Sequence, residues 1–230
     1  MDEKKPKKPI LQVLYEDNHL LAVFKPAGLL VQGDNTGDLT LLEMAREYIK
    51  TKYNKPGRVY IGLIQRLDRP VAGVVLFART SKAANRLCEQ IREHMIKKTY
   101  WAVIHGKPFP SEGEISGHIR RHGRKSFLSR PDMKNAQIAI LSYRTLESFS
   151  KLSLMEIELK TGRHHQIRVQ MAGMGHPVLG DRKYGSPCCL PDRRIALLAK
   201  RLIITHPTKE EKVLIESPNP DNWPWPPPFK

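Results

Sequence analysis

The stretch Ile61-Gly62-Leu63-Ile64-Gln65-Arg66-Leu67-Asp68-Arg69-Pro70-Val71-Ala72-Gly73-Val74-Val75-Leu76-Phe77-Ala78-Arg79-Thr80 sets one carboxylate, Asp68, between two arginines, just ahead of a five-residue apolar run. An apolar run of that length reads as a buried strand, and Pro70-Val71-Ala72-Gly73 as the bend that feeds it. An acid at the edge of a sheet, kept ionised by guanidinium neighbours, is a candidate reactive group. The plainer reading is an ion-paired acid at a strand start, since structural pairs perturb carboxylates as well. The rest of the chain has to decide between them.

Outward from that stretch, residues 10–24 read as two short strands around the polar turn Glu16-Asp17-Asn18. Thr40-Leu41-Leu42-Glu43 has capping-box spacing, and Leu41, Leu42, Ala45, Tyr48 and Ile49 follow at helical intervals. A second helix is predicted from Thr80 or Ser81, with an apolar stripe of Ala84, Leu87, Cys88, Ile91 and Met95. Residues 100–104 form the next predicted strand. Over residues 151–160, Met155, Ile157 and Leu159 alternate with Glu156, Glu158 and Lys160, a half-buried strand. Thr161-Gly162 breaks it, and a short helix is predicted over 164–174. A further apolar stretch covers 195–205. Residues 106–137 lack periodicity and hold the densest basic patch, His118-Ile119-Arg120-Arg121-His122-Gly123-Arg124-Lys125. That patch is either a solvated loop or an arm that grips phosphates. Strands and helices are interspersed without regular βαβ alternation, which predicts an α+β domain over 10–216 built on a mixed sheet. A Lys- and Pro-rich tail over 1–9, expected to be mobile, and a Pro- and Trp-rich tail over 217–230 flank it.

Lys and Arg outnumber Asp and Glu by 39 to 23, giving a net charge of +16. That excess favours a polyanionic partner, because each neutralised phosphate releases counterions. No apolar stretch approaches the ~20 residues that span a bilayer, so nucleic acid is preferred over membrane. Three cysteines, two of them adjacent, give neither a disulfide framework nor zinc-site spacing. No signal-type apolar region follows the charged start. The expectation is a cytoplasmic, monomeric protein with reduced thiols.

A second dense cluster is Thr161-Gly162-Arg163-His164-His165-Gln166-Ile167-Arg168-Val169-Gln170, followed by Gly175-His176-Pro177-Val178-Leu179-Gly180-Asp181 and Tyr184-Gly185. On a helix Ile167 and Met171 face the core, and Arg168 lies beside that face. A buried Arg needs an anionic partner; Asp68 is the candidate, in a bidentate pair. His164 and His165 diverge on a helix and lack metal-site spacing. Neither a phosphate-binding Gly loop ending in Lys-Ser/Thr nor a nucleophile elbow is present.

Together these segments resemble the RluA-type pseudouridine synthase family. Gln65 to Asp68 with Gly73 to Thr80 is similar to its catalytic segment, Lys98-Thr99-Tyr100-Trp101-Ala102 to its Lys-x-Tyr-x-Ala strand, and Thr161 to Arg168 to its Gly-Arg-x-His-Gln-Ile-Arg element. The likeness begins at Tyr15-Glu16-Asp17 with Lys25-Pro26-Ala27-Gly28 and runs in order to about Pro207. It implies the pseudouridine synthase catalytic fold, a largely antiparallel mixed sheet around a central cleft. It also implies isomerisation of uridine in a ribosomal or transfer RNA stem-loop, with no metal or cofactor. In that reading Asp68 attacks the nucleoside, Arg168 pairs with it, and Tyr100 lies over the base, where it also helps remove the C5 proton. Without the resemblance, Tyr100 reads as a core strand aromatic. Arg66 fills the gap left by an extruded base. Arg69 is either part of that work or a plain phosphate contact, and Ile167 either shapes the pocket or packs the core. Arg163, Arg121, Arg124 and Lys125 complete the expected RNA-binding set.

The chain departs from the commonest family pattern at Gln65, Val71, Ala72, Gln170 and Leu198, where imidazoles or hydroxyls are usual. These departures bear on loop hydrogen bonding and RNA choice. Many relatives carry an N-terminal S4 RNA-binding domain; the expectation here is a short form without one, drawing its affinity from the catalytic domain's basic surface. Two other readings compete: a non-catalytic RNA-binding protein on this fold, and a metal nuclease using Asp68 and His164.

Overall fold

The computed structural model describes residues 10–226. The basic tail over 1–9 and the last four residues of the Pro/Trp-rich tail lie outside them. In chain order the strands are β1 Gln12–Glu16, β2 Leu20–Lys25, β3 Gly62–Leu63, β4 Ala72–Ala78, β5 Lys97–His105, β6 Glu112–His122, β7 Lys125–Ser129, β8 Gln137–Phe149, β9 Leu152–Leu159, β10 Leu197–Thr205 and β11 Lys212–Glu216. The helices are α1 Leu41–Lys52, α2 Ser81–Arg92 and α3 Gln166–Gly173. The strands join one sheet in the order β1-β2-β4-β10-β5-β9-β8-β6-β7, with β3 added on β4 and β11 on β10. Only the β4–β10 pair is parallel among the described strands. The α+β expectation holds.

The first two helices cover opposite faces of the sheet. Thr40 and Glu43 form the capping box of α1, the Thr40 Oγ1 accepting from the Glu43 N–H at 3.2 Å and the Glu43 carboxylate from the Thr40 N–H at 2.9 Å. Leu41, Ala45 and Ile49 then turn into the larger core cluster with Leu21, Val23, Val75 and Phe77. Ala83 and Leu87 of α2 pack on the opposite face with Leu20, Ala22, Val74 and Leu76. The stripe expected for α2 is corrected at its edges. Cys88 is exposed and Met95 lies beyond the helix, 53% exposed, while Gln90 is buried. The reason is polar: the Gln90 amide donates to the Thr205 carbonyl at 2.8 Å and accepts from the Thr205 N–H at 3.0 Å, which sets the helix rotation.

Two further expectations change. The bend expected through Gly73 ends earlier, at Arg69 and Pro70, and the strand already begins at Ala72. Gly73 is needed for approach rather than turning: at φ 125°, a Cβ there would lie 2.3 Å from the Ala199 carbonyl oxygen of β10. The aperiodic stretch over 106–137 contains the β6–β7 hairpin, closed by Gly123 and Arg124 with Gly123 at φ 57°. Glycine suits that position because two-residue hairpin turns require positive φ.

β10 carries the register that brings the distant motifs together. Ala199 pairs with Gly73 of β4 on one side and with Tyr100 of β5 on the other. Tyr100 is therefore one strand away from the start of β4 and the Asp68 loop that precedes it. Replacing Gly73 by Ala is expected to lower unfolding stability by about 2–3 kcal/mol, from the left-handed backbone and the clash. Urea melts check it; an unchanged midpoint would contradict the close approach.

Candidate active site

Asp68 sits on the segment between β3 and β4, closed by a turn in which the Val71 N–H donates to the Asp68 carbonyl at 3.0 Å. The segment is tied down from behind by Lys25. This side chain is fully buried, and its ammonium donates to the carbonyls of Pro26 at 3.0 Å, Leu29 at 2.9 Å and Arg69 at 3.1 Å. Burial pushes the Lys25 ammonium down to about 7, opposed by the negative charge of Asp68. Arg69 adds a second tie, donating from Nε to the Gly28 carbonyl at 2.9 Å and pairing with Asp38 at 2.8 Å.

Arg168 enters from α3 and reaches Asp68 with Nη1 at 2.9 Å from Oδ2. The expected pair is present, but the bidentate partner is a different acid. Nε and Nη2 of Arg168 donate to Oδ2 and Oδ1 of Asp181 at 2.7 and 2.9 Å. Asp181 is buried, whereas the Asp68 side chain keeps 27% of its surface. Burial opposes the Arg168 charge, yet the two carboxylates outweigh it and hold its pKa above the ordinary value.

His165 completes the surroundings of Asp68. Its Nε2 lies 3.3 Å from Asp68 Oδ2 and its Nδ1 2.7 Å from the Tyr184 hydroxyl, which in turn accepts the Ser126 N–H at 2.9 Å. Burial, and then Arg168, push the His165 imidazolium down to about 2, so the ring is neutral. His164 stacks on it at 3.8 Å between centroids and shares a 2.8 Å hydrogen bond with the Ser126 hydroxyl. Sequence reasoning assigns no role to His165 or Tyr184. The available signals are that both lie within the likeness, His165 as the His of the Gly-Arg-x-His-Gln-Ile-Arg element, and the adjacent pair of histidines in an otherwise helical segment. The helix expected from 164 begins instead at Gln166, with His165 as its left-handed N-cap.

Tyr100 is buried in the core cluster, and burial followed by the Asp68 charge pushes its phenol up, keeping it protonated. Ile167 is buried in the same cluster. Arg66 is exposed, without an ion-pair or hydrogen-bond partner among the described residues. The other expected cations lie on or beside the hairpin. Arg121 and Arg124 are exposed, the Lys183 ammonium reaches the Arg124 carbonyl, and Lys125 sits over the Tyr184 ring at 5.2 Å. Arg163 donates to the Ile138 carbonyl at 2.8 Å, which fastens the start of β8 to the α3 approach. Among the described residues, no three His, Cys, Asp or Glu side chains converge as metal ligands do. No helix among them is long and apolar enough to cross a membrane.

Replacing Asp181 by Asn leaves the Arg168 guanidinium underpaired in the core. The expected loss is about 3–5 kcal/mol of unfolding free energy, read by chemical denaturation. A loss below about 1 kcal/mol would show that Asp181 does not anchor Arg168.

Comparison with known proteins gives a consistent result. The sequence profile of the RNA pseudouridylate synthases matches residues 19–173. The chain is 35% identical over 213 residues to an RNA pseudouridine synthase of Bacillus subtilis, covering 91% of this chain and 69% of that protein. It is 34% identical over 224 residues to the ribosomal large subunit pseudouridine synthase D of Nitrosomonas europaea, covering 92% and 63%. The chain thus spans about two thirds of the length of these relatives. Among solved structures, human RNA pseudouridylate synthase domain containing 4 superposes with a TM-score of 0.79 at 27% identity, covering 91% of this chain and 89% of that one. Human RNA pseudouridylate synthase domain containing 1 gives 0.73 at 26% identity, covering 94% and 86%.

Proposed function

The chain belongs to the RNA pseudouridylate synthase family, enzymes that isomerise uridine in RNA to pseudouridine, and we propose that it does so with Asp68 as its nucleophile. The observation that carries this reading is the state of Asp68: a part-exposed carboxylate whose one oxygen, Oδ2, is engaged by buried Arg168 at 2.9 Å. A carboxylate so oriented has its other oxygen to offer. That oxygen attacks the sugar carbon of the target nucleoside and the base leaves with the bonding electron pair. The base turns and its C5 attacks the same sugar carbon, displacing the carboxylate; C5 then gives up its proton to solvent while the former glycosidic nitrogen takes one up.

The neighbours supply what this sequence of steps needs. Tyr100 gives the detached base a flat, dry surface; its phenol acts in the protonated form, because burial and Asp68 both oppose ionisation. Arg66, exposed and two residues before Asp68, takes the place of the extruded base in the stem. Arg121, Arg124 and Lys125 on the hairpin grip the phosphates, and Arg163 supports them from the base of β8. Arg69, already paired with Asp38, serves mainly to hold the loop. The substrate is a stem-loop of ribosomal RNA, favoured over transfer RNA by relatives named for the large ribosomal subunit. The protein acts as a monomer in the cytoplasm, where its exposed free cysteines Cys88, Cys188 and Cys189 stay reduced.

For Asp68→Asn, tritium release from C5-labelled uridine in RNA is expected to vanish while RNA binding persists; wild-type turnover would remove Asp68 from the mechanism. Changing Arg121, Arg124 and Lys125 together to Ala is expected to weaken RNA binding. The log–log salt slope should flatten by about 0.7–0.9 for every phosphate that the variant no longer neutralises. An unchanged slope would place the RNA elsewhere.

A further inference from the structure

His165 breaks two local preferences at once. It stands at φ 56° without being Gly, Asn or Asp, and it occupies the N-cap of α3 without any side-chain capping bond. Left-handed positions favour Gly and N-caps favour Ser, Thr, Asp or Asn. Six other non-glycine residues among those described also have positive φ, so the backbone alone does not mark this position; the contacts of its ring do. What holds this ring is visible on both of its edges.

One edge faces an acid and the other a phenol. Nε2 lies 3.3 Å from Asp68 Oδ2, so the carboxylate charge favours a proton on that nitrogen over a lone pair. Nδ1 is then an acceptor, 2.7 Å from the Tyr184 hydroxyl. Tyr184 is able to donate there, because the Ser126 N–H at 2.9 Å fills one of its acceptor positions and leaves its own proton for Nδ1. Burial keeps that phenol protonated. A second proton on the ring is opposed first by burial, then by Arg168 from α3, by the adjacent His164 ring, and by Lys183 from the turn before Tyr184 and Arg121 from the hairpin.

We infer that His165 is a positioning residue for Asp68: held as the Nε2–H tautomer by Tyr184, it joins Arg168 on Oδ2 and leaves Oδ1 as the attacking oxygen. Arg168 donates to Oδ2 and His165 Nε2 stands 3.3 Å from the same oxygen, and among the described residues no donor is bonded to Oδ1. In the free protein the His165 N–H is not aligned on Oδ2 and the 3.3 Å contact is an electrostatic approach; catalytic contacts that are long or poorly aligned in the free enzyme tighten when substrate binds. The inference rests on the reading of Asp68 as nucleophile only for its kinetic consequence. The tautomer and its dependence on Tyr184 are properties of the free protein.

The test has two arms. In the first, the protein labelled with nitrogen-15 histidine is followed by NMR from about pH 5.5 to 8, a window centred near the ordinary imidazole pKa, with His165→Gln identifying the signals of His165. A neutral ring protonated at Nε2 throughout is expected, and Tyr184→Phe should release it into a mixture of tautomers. An Nδ1–H ring, a charged ring, or a tautomer indifferent to Tyr184→Phe overturns the inference whatever the activity. In the second arm, single-turnover rates are measured on unmodified ribosomal RNA transcribed with C5-tritiated uridine. His165→Phe is expected to lower the rate about 10- to 100-fold with little change in the RNA concentration for half-saturation. Gln places an amide N–H where Nε2–H stood, so His165→Gln should keep most of the rate. Equal rates for the two variants overturn the positioning role. Asp68→Asn run alongside separates the readings: if it is active, the nucleophile assignment fails, and the NMR arm still judges the tautomer.

Discussion

One guanidinium buried between two carboxylates fixes the geometry on which the site depends. An unpaired charge at the position of Arg168 would be prohibitively costly, and Asp181 removes that cost with two near-ideal bonds. Asp181 itself is held by the tight turn that follows it, its carbonyl accepting the Tyr184 and Ser186 N–H groups, both at 3.0 Å. Two of the three directions of the guanidinium fork are thus spent on a rigid acid. The third, Nη1, is left at a fixed place and angle for Asp68. The two acids consequently differ in kind. Asp181 is an anchor in the core, and Asp68 is the part-exposed acid whose second oxygen has no donor bonded to it among the described residues.

The sheet delivers the partners to that guanidinium with little freedom. Ala199 lies between Gly73 and Tyr100 in register, so the Asp68 loop and the Tyr100 ring cannot slide relative to each other without breaking β10. Lys25 closes the back of the loop through three carbonyls. A donor buried among backbone oxygens is a strong fastening, because leaving any of those carbonyls unpaired carries its own penalty. The carboxylate is therefore oriented by side chains from the front and by backbone from behind.

Much of this is legible in the chain, and the rest is hidden for identifiable reasons. The apolar run after Asp68, the alternation over β9 and the capping box of α1 are local signals, and each gives its element directly. Arg168 is legible because a cation beside an apolar helical face demands an acid. Which acid it grips bidentately is not, since Asp181 is thirteen residues on and its approach depends on the turn between them. Gln90 obscures the buried face of α2 because an amide that pairs with backbone looks, in sequence, like a surface residue. The β6–β7 hairpin resembles a loop because its inward face is closed partly by hydroxyls and rings. Ser126 lies fully buried against His164 and Tyr184 instead of presenting an apolar side chain.

That same serine changes how the family departures are weighed. Val71 and Ala72, where hydroxyls are common in relatives, are buried apolar residues that join the loop to the core. Leu198 is likewise buried in the apolar interior. Gln65 keeps only a long 3.4 Å contact from its amide to the Val74 carbonyl. Within the loop itself, apolar packing thus stands where polar groups are usual. Orientation of Asp68 falls instead to Arg168 on Asp181, to Lys25, and to the ring pair that Ser126 holds from the hairpin. A hairpin that carries Arg121, Arg124 and Lys125 at its tip and Ser126 at its inner face ties the basic surface to the carboxylate through three contacts: Ser126 to Tyr184, Tyr184 to His165, and His165 to Asp68. A displacement of the hairpin large enough to break the first of these would open an acceptor position on the Tyr184 oxygen, let it accept from an Nδ1–H instead of donating to Nδ1, and so loosen the tautomer of the ring that faces Asp68.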